Sequence, residues 1–217
     1  MFLDIQFLKN EHKQIKISKE LGYDGVFFIT DEPKKHKILD DFFVGYIKIG
    51  KSKRFLSLGI FDNILDFKEN LNTYDLFLLD FRWKEDKMDY RNSLFSPSIS
   101  YLPKVNKGLL FSTIFFKDLD FEKKAEIFGR FQQNIKILKK KKNRFLAVFC
   151  SLNYFESKEK FEDPRNLFSL AKILGLHPKE AKKSLGLNLF FLYKQRLILK
   201  ENLNKNLDFL EFRLKEK

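Results

Sequence analysis

The 217-residue sequence holds one cysteine, one tryptophan, two methionines, three histidines, five prolines and nine glycines. Each scarcity excludes something. A lone Cys150 cannot form an intramolecular disulfide, which fits a reducing cytoplasm. It lies in the apolar run FLAVFCS (145–151), where a buried, inert thiol is expected. The histidines, His12, His36 and His177, stand far apart, and no H-x-H or H-E-x-x-H spacing occurs. A metal site of the usual histidine and carboxylate type is therefore not expected. Neither a G-x-G-x-x-G nor a Walker loop is present, and no G-x-S-x-G marks a nucleophile. No uncharged apolar stretch reaches the ~18 residues a membrane span needs. The opening segment MFLDIQFLKN lacks the basic and long apolar regions of a signal peptide, so a cytoplasmic location is expected. No Pro/Gly/Ser linker divides the chain, and no repeat of 20–50 residues recurs.

Positive charge is what the chain has in excess. The 42 basic residues outnumber 29 acidic ones, for a net charge of +13. That balance favours a polyanionic partner, either nucleic acid or an anionic membrane surface. Only eight of the 42 are arginines, and a chain this rich in Lys, Asn, Ile and Phe also reflects compositional bias. Many lysines are then a solvated coat, and the scarce arginines are the more informative cations.

The 44% hydrophobic content is arranged in short apolar runs, enough for one core. Candidate strands are 2–7, 25–30, 44–49, 55–61, 76–81, 108–116 and 145–151. Several are almost continuously apolar, as expected of parallel strands buried on both faces. Helices are expected between them. Segment 11–21 ends before Gly22, 62–71 starts at Asp62, and 121–141 follows Asp120. In the last, Phe121, Ala125, Phe128, Phe131, Ile135 and Leu138 predict one apolar face. Its terminal LKKKKNR suits a helix C-terminus. After the last strand come helices at 164–174, at 178–185 closed by Gly186, and at 189–213. Strand–helix alternation predicts an α/β fold, best read as a TIM-like (β/α) barrel, complete or not, with C-terminal helices. The barrel domain is placed at 1–196 and a helical extension at 197–217.

In such a barrel the functional face is formed by the C-terminal ends of the strands. Here that face gathers Gln6, Thr30, Asp80, Arg82, Trp83, Thr113, Lys117, Ser151 and Asn153, a polar and basic set suited to phosphate oxygens. Segment DFRWKEDKMDYRN (80–92) interleaves Arg82, Lys84, Lys87 and Arg91 with Trp83 and Tyr90, as charges meeting phosphates and rings stacking on bases would require. An ordinary loop over a buried Trp83 is the alternative. Arg165 is also out of place. Asp163 is a good cap and Pro164 suits the first helical position, yet an arginine in the first turn opposes the macrodipole. Either it joins the helix N-terminus in holding an anion, or it pairs with a carboxylate such as Glu162 or Asp163. Asp4 and Asp80 are structural hydrogen-bonders or, alternatively, acid/base residues.

Segment FEDPRNLFSLAKILGLHPKEAKKSLGLNLFFLYKQR (161–196) resembles the end of archaeal and eukaryotic ribonuclease P protein component 3, the thirty-kilodalton subunit family. The matching positions are Pro164, Arg165, Asn166, Leu167, Leu174, Gly175, Ala181, Lys182, Ser184 and Leu185, with Asn166 standing where the family commonly has Asp. FLDIQF, KELGYDGVFFIT (19–30), the 74–92 stretch and GLLFSTIFF resemble the family more loosely. The resemblance implies a TIM-like barrel related to metal-dependent phosphoesterases. Their opening D-x-H-x-H motif is absent, since Asp4, Ile5 and Gln6 stand there. It further implies a ribonuclease P subunit in tRNA 5′-leader removal. The catalyst would be the ribonuclease P RNA with Mg2+, and this chain would bind no cofactor. Implied partners are that RNA and protein component 2, as a heterodimer or heterotetramer, with precursor tRNA contacted indirectly and no membrane involved. RNA contact is expected at Arg82, Lys84, Lys87, Arg91, Lys117, Arg144 and Arg165, with no catalytic or metal residue. The alternatives are a metal-dependent phosphoesterase using Asp4 and Asp80, and a generic RNA- or partner-binding module.

Overall fold

The computed structural model describes residues 1–62, 64–79, 101–116, 119–140, 147–152 and 162–198. Strand β1 (Leu3–Phe7) is followed by α1 (Glu11–Glu20), β2 (Gly25–Thr30), β3 (Lys37–Leu39), β4 (Phe42–Ile49) and β5 (Leu56–Phe61). Next come α2 (Ile64–Glu69), β6 (Leu76–Leu79), β7 (Gly108–Ser112), α3 (Phe121–Lys140) and β8 (Ala147–Cys150). The chain ends in α4 (Pro164–Ile173), α5 (Pro178–Lys182) and α6 (Asn188–Ile198). The strands pair in parallel in the order β1-β2-β4-β5-β6-β7-β8, and β3 adds antiparallel to β4. The two ends of this path approach each other. Leu152, just past β8, donates its N–H to the Ile5 carbonyl of β1 at 3.0 Å. The result is a TIM-like α/β barrel that is nearly closed.

Register divides the strand residues into two faces. Ile5, Phe27 and Gly45 are in-register neighbours on one face, and Gln6, Phe28 and Tyr46 lie on the other. The first face lines the barrel interior. It is filled by Phe27 and Phe43, whose ring centroids are 5.2 Å apart. A Cβ on Gly45 would stand 2.5 Å from the Phe27 ring, so glycine there makes room for it. The outer face meets the helices: Phe111 stacks on Phe149 and takes Phe131 of α3 edge-on at 5.1 Å.

The interior is sealed at the N-terminal ends of the strands. Segments α5 and α6 are joined by a π-turn, Lys183–Leu187, with right-handed helical backbone at both junctions, so the helix runs on from Pro178 to Ile198. It crosses directly beneath β1. A Cβ on Gly186 would lie 2.6 Å from the Met1 carbonyl oxygen. Further along, Tyr193 meets Phe27 and Phe43 edge-on at 5.3 and 5.7 Å. Its hydroxyl pairs with His36 Nδ1 at 2.7 Å, and Asn188 donates to the Ala147 carbonyl at 2.8 Å.

Four sequence expectations are corrected. Gly186 does not close a helix, because its missing side chain serves close packing on β1 rather than a C-cap. Segment 108–116 is a strand only to Ser112, and Thr113–Phe116 turn as a 3-10 segment. Strand β3 is additional. It forms a hairpin with β4 through Asp40 and Asp41, both at positive φ (49° and 66°), a two-residue turn without the usual glycine. On α3 the buried face is Ile127, Phe131, Ile135 and Leu138, whereas Phe121 and Ala125 are exposed. Contact with Phe111 fixes the helix rotation from Phe131, and the first turn of α3 is exposed.

Candidate nucleic-acid interface

Two of the polar strand-end residues turn out to belong to the wall of the barrel. Gln6 points outward, donating to Ser18 Oγ of α1 at 2.9 Å and to Asp4 Oδ2 at 2.9 Å. Gln14 of α1 returns a bond to Gln6 Oε1 at 3.2 Å. Asp4, fully buried, accepts the Ser151 backbone N–H at 2.9 Å and the Ser151 hydroxyl at 2.5 Å. Burial pushes the Asp4 carboxyl up, against the lowering effect of the Ser151 and Gln6 hydrogen bonds. Among the described residues, the hydrogen bonds of Asp4 therefore tie β1 to Ser151, just past β8, and to its own strand. Cys150 beside it is buried and unbridged, and burial likewise raises its thiol. Thr30 is half-buried and accepts the Glu32 N–H at 3.2 Å.

The interior offers no polar chamber among the described residues. Apolar side chains and Tyr193 fill it. Below, a crevice of about 410 Å³ between α6 and the starts of β6 and β7 is lined by Asp75, Asn106, Lys107, Gln195 and Arg196. Its charges are already committed. Asp75 accepts Ser57 N–H and Oγ at 2.9 and 2.7 Å and faces Lys107 at 3.4 Å and Arg196 at 3.5 Å. Arg196 also caps the Ser52 and Phe55 carbonyls. No cluster of three His, Cys, Asp or Glu side chains occurs among the described residues, and no described helix is long and apolar enough to cross a membrane.

Arg165 stands at the start of α4, on the outer wall. Tyr23, which precedes β2, donates its hydroxyl to the Glu162 carbonyl at 2.7 Å and holds the approach to the helix. Asp163 is the N-cap. Its carboxylate accepts the Arg165 backbone N–H at 2.5 Å, and its carbonyl accepts Asn166 N–H at 3.0 Å. The anion at this helix N-terminus is thus Asp163 itself. Asp163 offsets the dipole cost that the arginine would otherwise impose. The guanidinium is exposed and forms no ion pair among the described residues. Arg165 is left as a projecting cation. Arg82, Lys84, Lys87, Arg91, Lys117 and Arg144 lie outside the described residues, as do Asp80, Trp83, Tyr90, Asn153 and 199–217.

Sequence reading missed the parts of Tyr23, Ser151 and Tyr193. Each makes its contact with a distant segment, so no local spacing reveals it.

No protein-family model matches the sequence, and no curated protein matches it. Among solved structures, the fold is similar to a protein chain of an archaeal ribonuclease P determined by cryo-electron microscopy with mature tRNA. The TM-score is 0.67 at 17% identity, over 94% of this chain and 95% of that chain. At that identity the likeness is one of fold. It runs nearly end to end in both chains.

Proposed function

We propose that this chain is a protein subunit of a ribonuclease P ribonucleoprotein, of the protein component 3 type. The observation that carries the reading is the end-to-end structural likeness to a chain of archaeal ribonuclease P, coverage being 94% and 95%. The likeness of residues 161–196 to that family and the net charge of +13 support it independently.

The architecture supports a binding role. Among the described residues the barrel interior is packed and closed at the N-terminal ends of the strands, which favours a surface over a chamber. Its lysines and arginines neutralise phosphates and release counterions, so that a folded RNA keeps its active shape. Chemistry stays with the RNA and its Mg2+, which cleaves the 5′ leader of precursor tRNA. The chain works beside protein component 2, paired as a heterodimer that can double into a heterotetramer. The phosphoesterase alternative needs Asp4 as a ligand or base, and Asp4 is spent on Ser151 within the closed wall.

The test is recovery of bound RNA. A tagged chain is crosslinked in its host, and the RNA attached to it is sequenced. A single dominant structured RNA of ribonuclease P type is expected. An even spread over messenger and ribosomal RNA would overturn the assignment in favour of a generic binder.

A further inference from the structure

Cations of one sign gather where the C-terminal half of α3 meets the α4–α5 turn. Gln132 Nε2 of α3 donates to the Ile173 carbonyl at 3.4 Å, and Lys139 Nζ donates to the Gly175 carbonyl at 3.0 Å. Lys136 falls between these two contacts on the same helical stripe, so it stands beside the turn. On α4, Arg165, Ser169 and Lys172 are spaced by four and three residues and share one exposed face. Seven residues separate Arg165 from Lys172, about 10 Å along the helix. Lys179 and Lys183 share an exposed face of the next helix. Ile173, 64% exposed, lies amid them.

Two features set this surface apart from a solvated lysine coat. First, its carboxylates are committed. Glu180 accepts the His177 N–H at 2.9 Å and pairs with Lys139 at 3.1 Å. Asp163 caps α4. Lys136, Lys172, Lys179 and Lys183 form no ion pair among the described residues, and Lys172 instead lies over the Phe168 ring at 5.7 Å. On α1, by contrast, lysines and acids interleave, with Lys19 near Asp40 and Glu11 held by Lys34 and Lys37. Second, Arg165 and Lys179 stand in first helical turns, where the macrodipole disfavours cations. Helix stability does not account for them.

We infer that Lys136, Lys139, Arg165, Lys172, Lys179 and Lys183 form a continuous docking surface for an RNA phosphodiester backbone. The inference rests on the ribonucleoprotein reading for its ligand class. It adds a place on the molecule that neither the basic segment 80–92 nor the helix N-terminus supplies. Contact is to phosphates, so the surface positions RNA without reading its sequence.

The test uses the full chain and a fluorescein-labelled single-stranded RNA of mixed sequence, titrated by anisotropy at several salt concentrations. The triple variant K136Q/K172Q/K179Q changes only exposed side chains, and its thermal melt checks its fold. The control K16Q/K51Q/K53Q removes the same charge elsewhere. With about 0.7 counterion per phosphate contact, the salt slope of the patch variant is expected to fall by about 2. Over a rise from about 50 to 200 mM salt, the wild type then loses about 16-fold more affinity than the variant. The control keeps the wild-type slope. An unchanged slope in the patch variant, or an equal fall in the control, overturns the surface. So does patch-dependent binding to phosphatidylglycerol vesicles that exceeds binding to RNA. These outcomes are separable from failure of the ribonuclease P assignment, which is read from the RNA that co-purifies in the host.

Discussion

The Asp4 carboxylate of β1 holds both the backbone N–H and the hydroxyl of Ser151, the residue after β8, at 2.9 and 2.5 Å. With the Leu152 N–H to the Ile5 carbonyl, this contact joins the first and last strands of the sheet. A buried acid thus serves as the clasp of the barrel.

Asp4→Ala is expected to destabilise the fold by about 2–3 kcal/mol in chemical denaturation, since it strands two buried donors of Ser151. Asp4→Asn gives the pH signature. Burial raises the folded carboxyl above its ordinary 3.8, so the folded chain holds this proton more firmly than the unfolded chain. The group's contribution is full below 3.8 and is lost as pH rises through the raised value. Wild-type stability should therefore fall relative to Asp4→Asn across that window. Parallel pH profiles for the two proteins would contradict it.

Gly186→Ala and Gly129→Ala should move in opposite directions. The first places a methyl 2.6 Å from the Met1 carbonyl, whereas nothing lies within 4 Å of the second. Overpacking at Gly186 is expected to lower stability by about 1–3 kcal/mol. At Gly129, inside α3, alanine should add about 0.5–1 kcal/mol through helix propensity. Thermal melts of the two variants read both signs.

The closing helix should loosen in acid. Burial holds the His36 imidazole below its ordinary 6.5, and the neutral ring pairs with the Tyr193 hydroxyl. The unfolded chain protonates first as pH falls, so this contribution is present above 6.5 and is lost as pH drops through the lowered value. Tyr193→Phe removes the bond and is expected to cost about 1 kcal/mol at neutral pH. His36→Phe should abolish the acid-dependent part, which denaturation at several pH values measures.

Arg165→Ala should leave stability within about 0.5 kcal/mol, because the guanidinium supports no contact among the described residues. On RNA binding it should lower the salt slope by about 0.7–1. A large loss of stability with an unchanged slope would make Arg165 a structural residue.

Sequence reading reached the barrel because its strands are near-continuous apolar runs, and such runs have few other uses. It missed β3, whose turn residues Asp40 and Asp41 adopt positive φ without the glycine that usually signals it. Gly186 looked like a helix end because a glycine marks either a terminus or a close approach, and only the position of Met1 distinguishes them. Asp163 and Pro164 announced the start of α4 correctly. The fate of the Arg165 guanidinium was not legible, since it depends on which carboxylates fold into reach. The lysines around Ile173 were hidden for the same reason. They come from three segments that only folding brings together.

The measurement that tests the central claim most directly is reconstituted cleavage. The host's ribonuclease P RNA, protein component 2 and precursor tRNA are combined at modest Mg2+, with and without this chain, beside a reaction that omits the RNA subunit. The account predicts leader removal that requires both the RNA and this chain. Cleavage by the chain without the RNA, or RNA-dependent cleavage indifferent to the chain, would contradict it.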